Sequence, residues 1–147
     1  MTISSNNQFL EKTADLHVVD TRPLIPPRQL HQDLPLDYTS ANTVSKTRTS
    51  IKNILHKNDS RLLVIVGPCS IHDIEAAKEY SSYIQKFRES YQDKLEIVMR
   101  VYFEKPRTTI GWKGLINDPH LDGSYDINTG LRQARGLLRY LASMGIP

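Results

Sequence analysis

The stretch Leu62-Leu63-Val64-Ile65-Val66-Gly67-Pro68-Cys69-Ser70 sets the reading of everything around it. Five apolar residues in a row, without alternation, describe a strand buried on both faces, and the β-branched residues favour strand over a short helix. Gly67 and Pro68 stop the run. Downstream, the spacing predicts a helix from about Asp73, with Ile74, Ala77, Ser81, Ile84 and Phe87 as its buried stripe. Acidic residues come early in it and Lys86 and Arg88 late, as the helix dipole prefers. A second strand follows over residues 96–103, then a long polar loop to about Asn128. A last helix runs to about Met144, with Leu131, Ala134, Leu137, Leu138 and Leu141 on one face. Gly145 stands where a C-terminal cap belongs, and Pro147 blocks continuation. Upstream, Val44, Thr47, Ile51, Ile54 and Leu55 mark a helix over residues 40–56. Helix, strand, helix, strand, helix, with long crossovers, is the start of an α/β protein with a parallel sheet. Two strands cannot complete such a sheet, and Pro147 falls where a third should follow, so the chain reads as truncated.

Composition narrows the function classes. The 147 residues carry 19 Lys plus Arg against 16 Asp plus Glu, a net charge of +3, with 39% hydrophobic and 24% charged residues. That is the balance of a soluble globular protein, and no block of five or six like charges suggests a nucleic-acid partner. One cysteine excludes an intramolecular disulfide framework and favours a reducing, cytoplasmic setting. The first residues lack the charge and apolar core of a secretory signal, and no apolar run approaches the roughly 20 residues of a membrane span. Enzyme and binding module both remain. Within residues 1–39, the stretch 22–38 alternates Pro with Leu and Ile and reads as an extended arm. A solvated tail is one reading of it. Leu24, Ile25, Leu30, Leu34 and Leu36 argue instead for an arm docked on its own body or on a second subunit.

Chemistry concentrates after the two strands, where α/β folds place their working residues. Cys69 follows the first strand in a turn shaped by Gly67 and Pro68. It could be a metal ligand, a nucleophile or an inert thiol. His72 makes a Cys-x-x-His pair, but one pair falls short of the four ligands of a zinc site. His72 and Asp73 read better as the mouth of the next helix, with Asp73 as its cap. In the second strand, alternation puts Arg100 on one face with Val98 and Tyr102, where a guanidinium is costly to bury without an anion. Lys105, Arg107 and Lys113 follow within fourteen positions, with Thr108 and Thr109 between them. Such a cluster suits a small substrate with two or more anionic groups, the alternative being a solvated basic loop. No P-loop or G-x-G-x-x-G pattern is present. Trp112 reads as a packing residue of its loop.

The segments Gly67-Pro-Cys-Ser-Ile-His-Asp73, Met99-Arg-Val-Tyr-Phe-Glu-Lys-Pro-Arg-Thr108 and Gly111-Trp-Lys-Gly-Leu-Ile-Asn-Asp-Pro-His120 together resemble the microbial type I, feedback-regulated 3-deoxy-D-arabino-heptulosonate 7-phosphate (DAHP) synthases. The resemblance covers nearly the whole chain from about Asp15. It implies a (β/α)₈ TIM barrel behind an N-terminal arm, the arm at 1–39 and part of the barrel at 40–147. It also implies condensation of phosphoenolpyruvate with erythrose 4-phosphate, the first step of the shikimate pathway. The resemblance further implies a divalent metal of the Mn, Fe, Co or Zn type, an aromatic amino acid effector and a homo-oligomer. Cys69 matches the family's metal-ligating cysteine and Arg100 an arginine that holds phosphoenolpyruvate. Lys105 matches the lysine between the substrates, a proton donor to the aldehyde oxygen. Pro106, Arg107 and Thr108 match the motif that receives erythrose 4-phosphate, and Asp15 an acidic position near the effector site. A (β/α)₈ barrel takes about 250 residues, so two of eight strands are expected here, with the other metal ligands absent and the segment inactive by itself. The alternative is a non-catalytic regulatory or dimerising piece of the same family. An unrelated phosphate-binding domain is the third reading.

Overall fold

The computed structural model describes residues 14, 16–105 and 111–147. Its elements run α1 (Pro27–Asp33), α2 (Tyr38–Leu55), β1 (Leu62–Val66), α3 (Ile74–Tyr91), β2 (Leu95–Met99) and α4 (Ile127–Ser143). β1 and β2 pair in parallel, Leu62 opposite Leu95 through Val66 opposite Met99, as expected of strands joined by a helical crossover. After α4 the chain returns to the sheet: the Met99 amide donates to the Pro147 carbonyl at 2.9 Å, and Ile146 is buried. That contact lies on the edge of β2 away from β1.

Local signals explain the helix starts. Asp37 accepts from the Ser40 amide and lets α2 begin at Tyr38, two residues before the start at residue 40 expected from the sequence. Asp73 caps α3 through the Glu75 and Ala76 amides, as its position predicted. Asp126 does the same for α4 through Thr129. Gly145 sits just past α4 with φ 77°, a conformation that only glycine adopts freely.

The core lies between one face of the sheet and helices α3 and α4, where Ile84, Ile97, Met99, Leu137, Leu141 and Ile146 meet. Fully burying one such side chain contributes roughly 1.5–3 kcal/mol. α2 lies along α4, and the buried Ser40 hydroxyl donates to the Arg139 carbonyl between them.

Four expectations need correcting. β1 is not buried on both faces: Leu62 is 65% and Ile65 63% exposed, because among the described residues the sheet has one hydrogen-bonded pair and one full covering layer. β2 ends at Met99 rather than Phe103, since past the Arg100 amide the chain leaves the ladder for a hairpin of its own. Phe87 and Leu138 face outward, on the flanks of stripes that bury only their centres. The arm is not extended throughout, for Pro27 opens the short helix α1, its fixed φ suiting a first helical position. That arm docks on its own body. Asn128 accepts from the Ile25 amide at 2.8 Å and donates to the Pro23 carbonyl at 3.1 Å. Arg135 donates to the Leu34 carbonyl, and Arg132 pairs with Asp33 at 2.7 Å.

Candidate functional site

The carboxyl ends of β1 and β2 meet where Gly67 passes over the Arg100 backbone. A Cβ at Gly67 would collide with the Arg100 carbonyl, so no larger residue fits without moving a strand. The Arg100 amide donates to Val66 at 2.8 Å and continues the ladder one step past β2. Its guanidinium turns back to the β1 loop, donating to the carbonyls of Pro68 and of Cys69, the latter at 2.7 Å. The Tyr102 ring packs against it, 5.0 Å from guanidinium carbon to ring centroid. Arg100 thus ties the cysteine-bearing loop to the second strand end. Its donors outnumber these two carbonyls, and none goes to a carboxylate among the described residues.

Cys69 is exposed with a free thiol, and His72 and Asp73 are exposed beside it. A small cavity of about 130 Å³ opens between His72, Asp73 and Tyr80; Ser70 lines it, and its buried hydroxyl has no hydrogen-bond partner among the described residues. Among the described residues no three His, Cys, Asp or Glu side chains come together as a metal site. Cys69 can therefore supply one soft ligand at this strand end and no more.

Beyond Arg100 the chain forms a hairpin. Glu104 bridges Gly114 in antiparallel fashion, flanked by bonds from the Leu115 amide to Phe103 (2.7 Å) and from the Lys105 amide to Lys113 (3.2 Å). Gly114 has φ 116° and lies against the Phe103 carbonyl, which explains glycine there. Trp112 packs on the core and donates its indole N–H to the Asp118 carbonyl at 2.7 Å, the structural role expected of it. The buried Asp118 carboxylate accepts from the Gly123 amide and closes the loop. Gly130 lets α4 touch the Ile116 carbonyl.

Of the residues singled out in the sequence, Cys69, Arg100, Lys105 and Lys113 thus occur on the two strand-end loops. Asp15, Pro106, Arg107 and Thr108 lie outside the described residues. Sequence reading passed over Asp118 and Gly130, whose partners are close in space through backbone contacts that no side-chain pattern announces. It also missed the hollow of about 680 Å³ between residues 17–24 of the arm and residues 123–128.

The family model for the DAHP synthetase I family matches residues 37–145. The chain belongs to the DAHP synthetase I family. It is 56% identical over 133 residues to the Phe-sensitive phospho-2-dehydro-3-deoxyheptonate aldolase of Escherichia coli strain K12, a match covering 90% of this chain and 38% of that one. A phospho-2-dehydro-3-deoxyheptonate aldolase of Amycolatopsis methanolica is 54% identical over 125 residues, covering 85% of this chain and 62% of its own. The solved structure of the Francisella tularensis SCHU S4 phospho-2-dehydro-3-deoxyheptonate aldolase superposes with a TM-score of 0.85 at 55% identity, covering 88% of this chain and 38% of that one. Other members that match are named Tyr-sensitive and Trp-sensitive. The chain spans less than two fifths of the length of the Escherichia coli relative it matches.

Proposed function

We propose that this chain forms the first part of a (β/α)₈ DAHP synthase, with residues 1–39 as the arm and 40–147 as the opening of the barrel. The reaction joins phosphoenolpyruvate, erythrose 4-phosphate and water into DAHP and inorganic phosphate. The observation that carries the reading is the juxtaposition of Arg100 with the Cys69 loop at one strand end, within a family match that spans most of the chain. A divalent metal ion held at Cys69 and at ligands from elsewhere in the enzyme would act as a Lewis acid on the aldehyde. Arg100 holds phosphoenolpyruvate with the donors its two carbonyl bonds leave over. Lys105 delivers a proton to the aldehyde oxygen as C3 of phosphoenolpyruvate attacks it. Pro106 shapes the turn after it, and Arg107 and Thr108 take the phosphate of erythrose 4-phosphate, which keeps the two substrates in register.

The arm is proposed to carry the response to an aromatic amino acid through Asp15 and to take part in a homo-oligomer in the cytoplasm. Relatives named for phenylalanine, tyrosine and tryptophan sensitivity support the first point. Among the described residues no helix is long and apolar enough to cross a membrane.

The test is to join residues 1–147 to the remainder of the Escherichia coli relative's barrel and assay substrate-dependent phosphate release. Turnover that disappears when either substrate is left out is the expected result. A folded chimera without turnover would overturn the reading.

A further inference from the structure

Lys113 was grouped with the basic cluster in the sequence, yet the family resemblance gives it no role. The hairpin does. Its register pairs Phe103 with Leu115, Glu104 with Gly114 and Lys105 with Lys113. Residues directly opposite in an antiparallel pair project to the same face, about 4.5–5.5 Å apart at Cβ, and like charges there are destabilising. Lys105 and Lys113 are such a pair. Both are half-buried, on the hairpin face that also carries Phe103 and the buried Leu115. Glu104, the carboxylate nearest in sequence, alternates onto the other face. Among the described residues neither ammonium forms an ion pair or donates a side-chain hydrogen bond. Ordinary surface lysines avoid one another by swinging apart in water. Half-buried stems on facing positions have less room to do so, and one shared dianion between the two ammoniums turns their repulsion into attraction.

We infer that Lys113 is a substrate-binding residue that grips a phosphate group jointly with Lys105. This rests on the proposed synthase function, because it takes the hairpin to face the substrates. Both substrates carry a phosphate, so the chemistry recognised is a phosphate monoester, and kinetics must say whose. The active chimera described above is the material, with Lys113→Gln removing the charge and Lys113→Arg keeping it. Removing one charge-assisted contact corresponds to about a tenfold rise in the KM of one substrate, with a smaller change in kcat and recovery in Lys113→Arg. A rise for erythrose 4-phosphate alone places its phosphate between the lysines, and a rise for phosphoenolpyruvate alone places that one there. Unchanged KM values for both in an active chimera overturn the inference and leave the synthase reading intact.

A second measurement uses the same active chimera. It is acylated at its lysines with and without inorganic phosphate, and the sites are quantified by mass spectrometry. Joint protection of Lys105 and Lys113 by phosphate, beyond that of Lys46 or Lys57, supports the inference. Equal labelling with and without phosphate overturns it.

Discussion

The two ends of the small sheet treat charge in opposite ways. At the amino end, Glu96 near the start of β2 is buried, and its carboxylate is held by Arg61 at 3.0 Å and Arg88 at 3.1 Å. The Ser50 hydroxyl donates to it at 2.7 Å, and Asp59 pairs with the outer side of Arg61. The buried carboxylate there is fully partnered, by groups drawn from α2, α3 and the segment leading into β1. At the carboxyl end Arg100 donates to backbone carbonyls, and the facing lysines of the hairpin have no carboxylate among the described residues. Partnered charges lock elements together. Half-buried cations left without carboxylates are suited to anions that come and go.

Breaking that contrast should separate activity from stability. The largest effect is expected for Cys69→Ser in the completed enzyme. Losing the only soft ligand offered by the described residues should lower metal content and cut turnover on the order of 100-fold or more, with an unchanged melting curve. Metal analysis beside the activity assay decides it, and full activity with metal retained would make Cys69 an inert thiol. At the other end of the sheet, Glu96→Ala should do the reverse. Two guanidiniums lose their shared carboxylate, for a destabilisation of about 3 kcal/mol read from denaturant unfolding. Turnover per folded molecule should be unaffected, and a collapse of activity at constant stability would erase the distinction between the two ends.

Smaller effects sharpen the reading of the carboxyl end. Arg100→Ala should raise the KM for phosphoenolpyruvate about tenfold or more, and Arg107→Ala that for erythrose 4-phosphate, each sparing the other substrate. Equal rises in both would point to general disruption of the loops. The smallest effect belongs to the arm. Hydrogen bonds from Arg132 and Gln29 hold the Asp33 carboxyl below its ordinary value of 3.8. A depressed carboxylate contributes its stabilisation above the unfolded value and loses it as pH falls through the folded one. Proteolysis of the arm should therefore change little between pH 7 and 5 and quicken only in stronger acid. Asp33→Asn should show the faster cleavage already at neutral pH. An unchanged cleavage rate in that variant would show the arm to be held by Asn128 and Arg135 without help from the ion pair.

Much of this was legible before any coordinates. Apolar periodicity located α2, α3, β1 and α4 to within a few residues. Asp73 and Gly145 were readable as helix signals because capping is local, settled within one turn by the residue's own neighbours. The turn before Cys69 was legible because a strand end needs glycine and proline to turn. Glu96 was not, because a carboxylate within an apolar strand shows its worth only once Arg61 and Arg88 arrive from elsewhere in the chain. The exposure of β1 was misread for a related reason. An apolar run states what a strand would bury, whereas burial itself depends on what lies alongside.

The sequence by itself therefore determined the order of helices and strands from α2 onward, their parallel pairing, the helix signals at Asp73 and Gly145 and the family to which the chain belongs. The elements and caps follow from backbone preferences and side-chain spacing within a few turns, the pairing from the long crossovers, and the family from the resemblance of three motifs. The tertiary structure alone decided that Arg100 reaches back to the Cys69 loop, that Lys105 faces Lys113, that Glu96 is locked between two arginines and that the arm lies on α4. Each of these is a meeting of groups from separate segments. Their geometry depends on how the elements pack, and no local pattern in the chain carries that information.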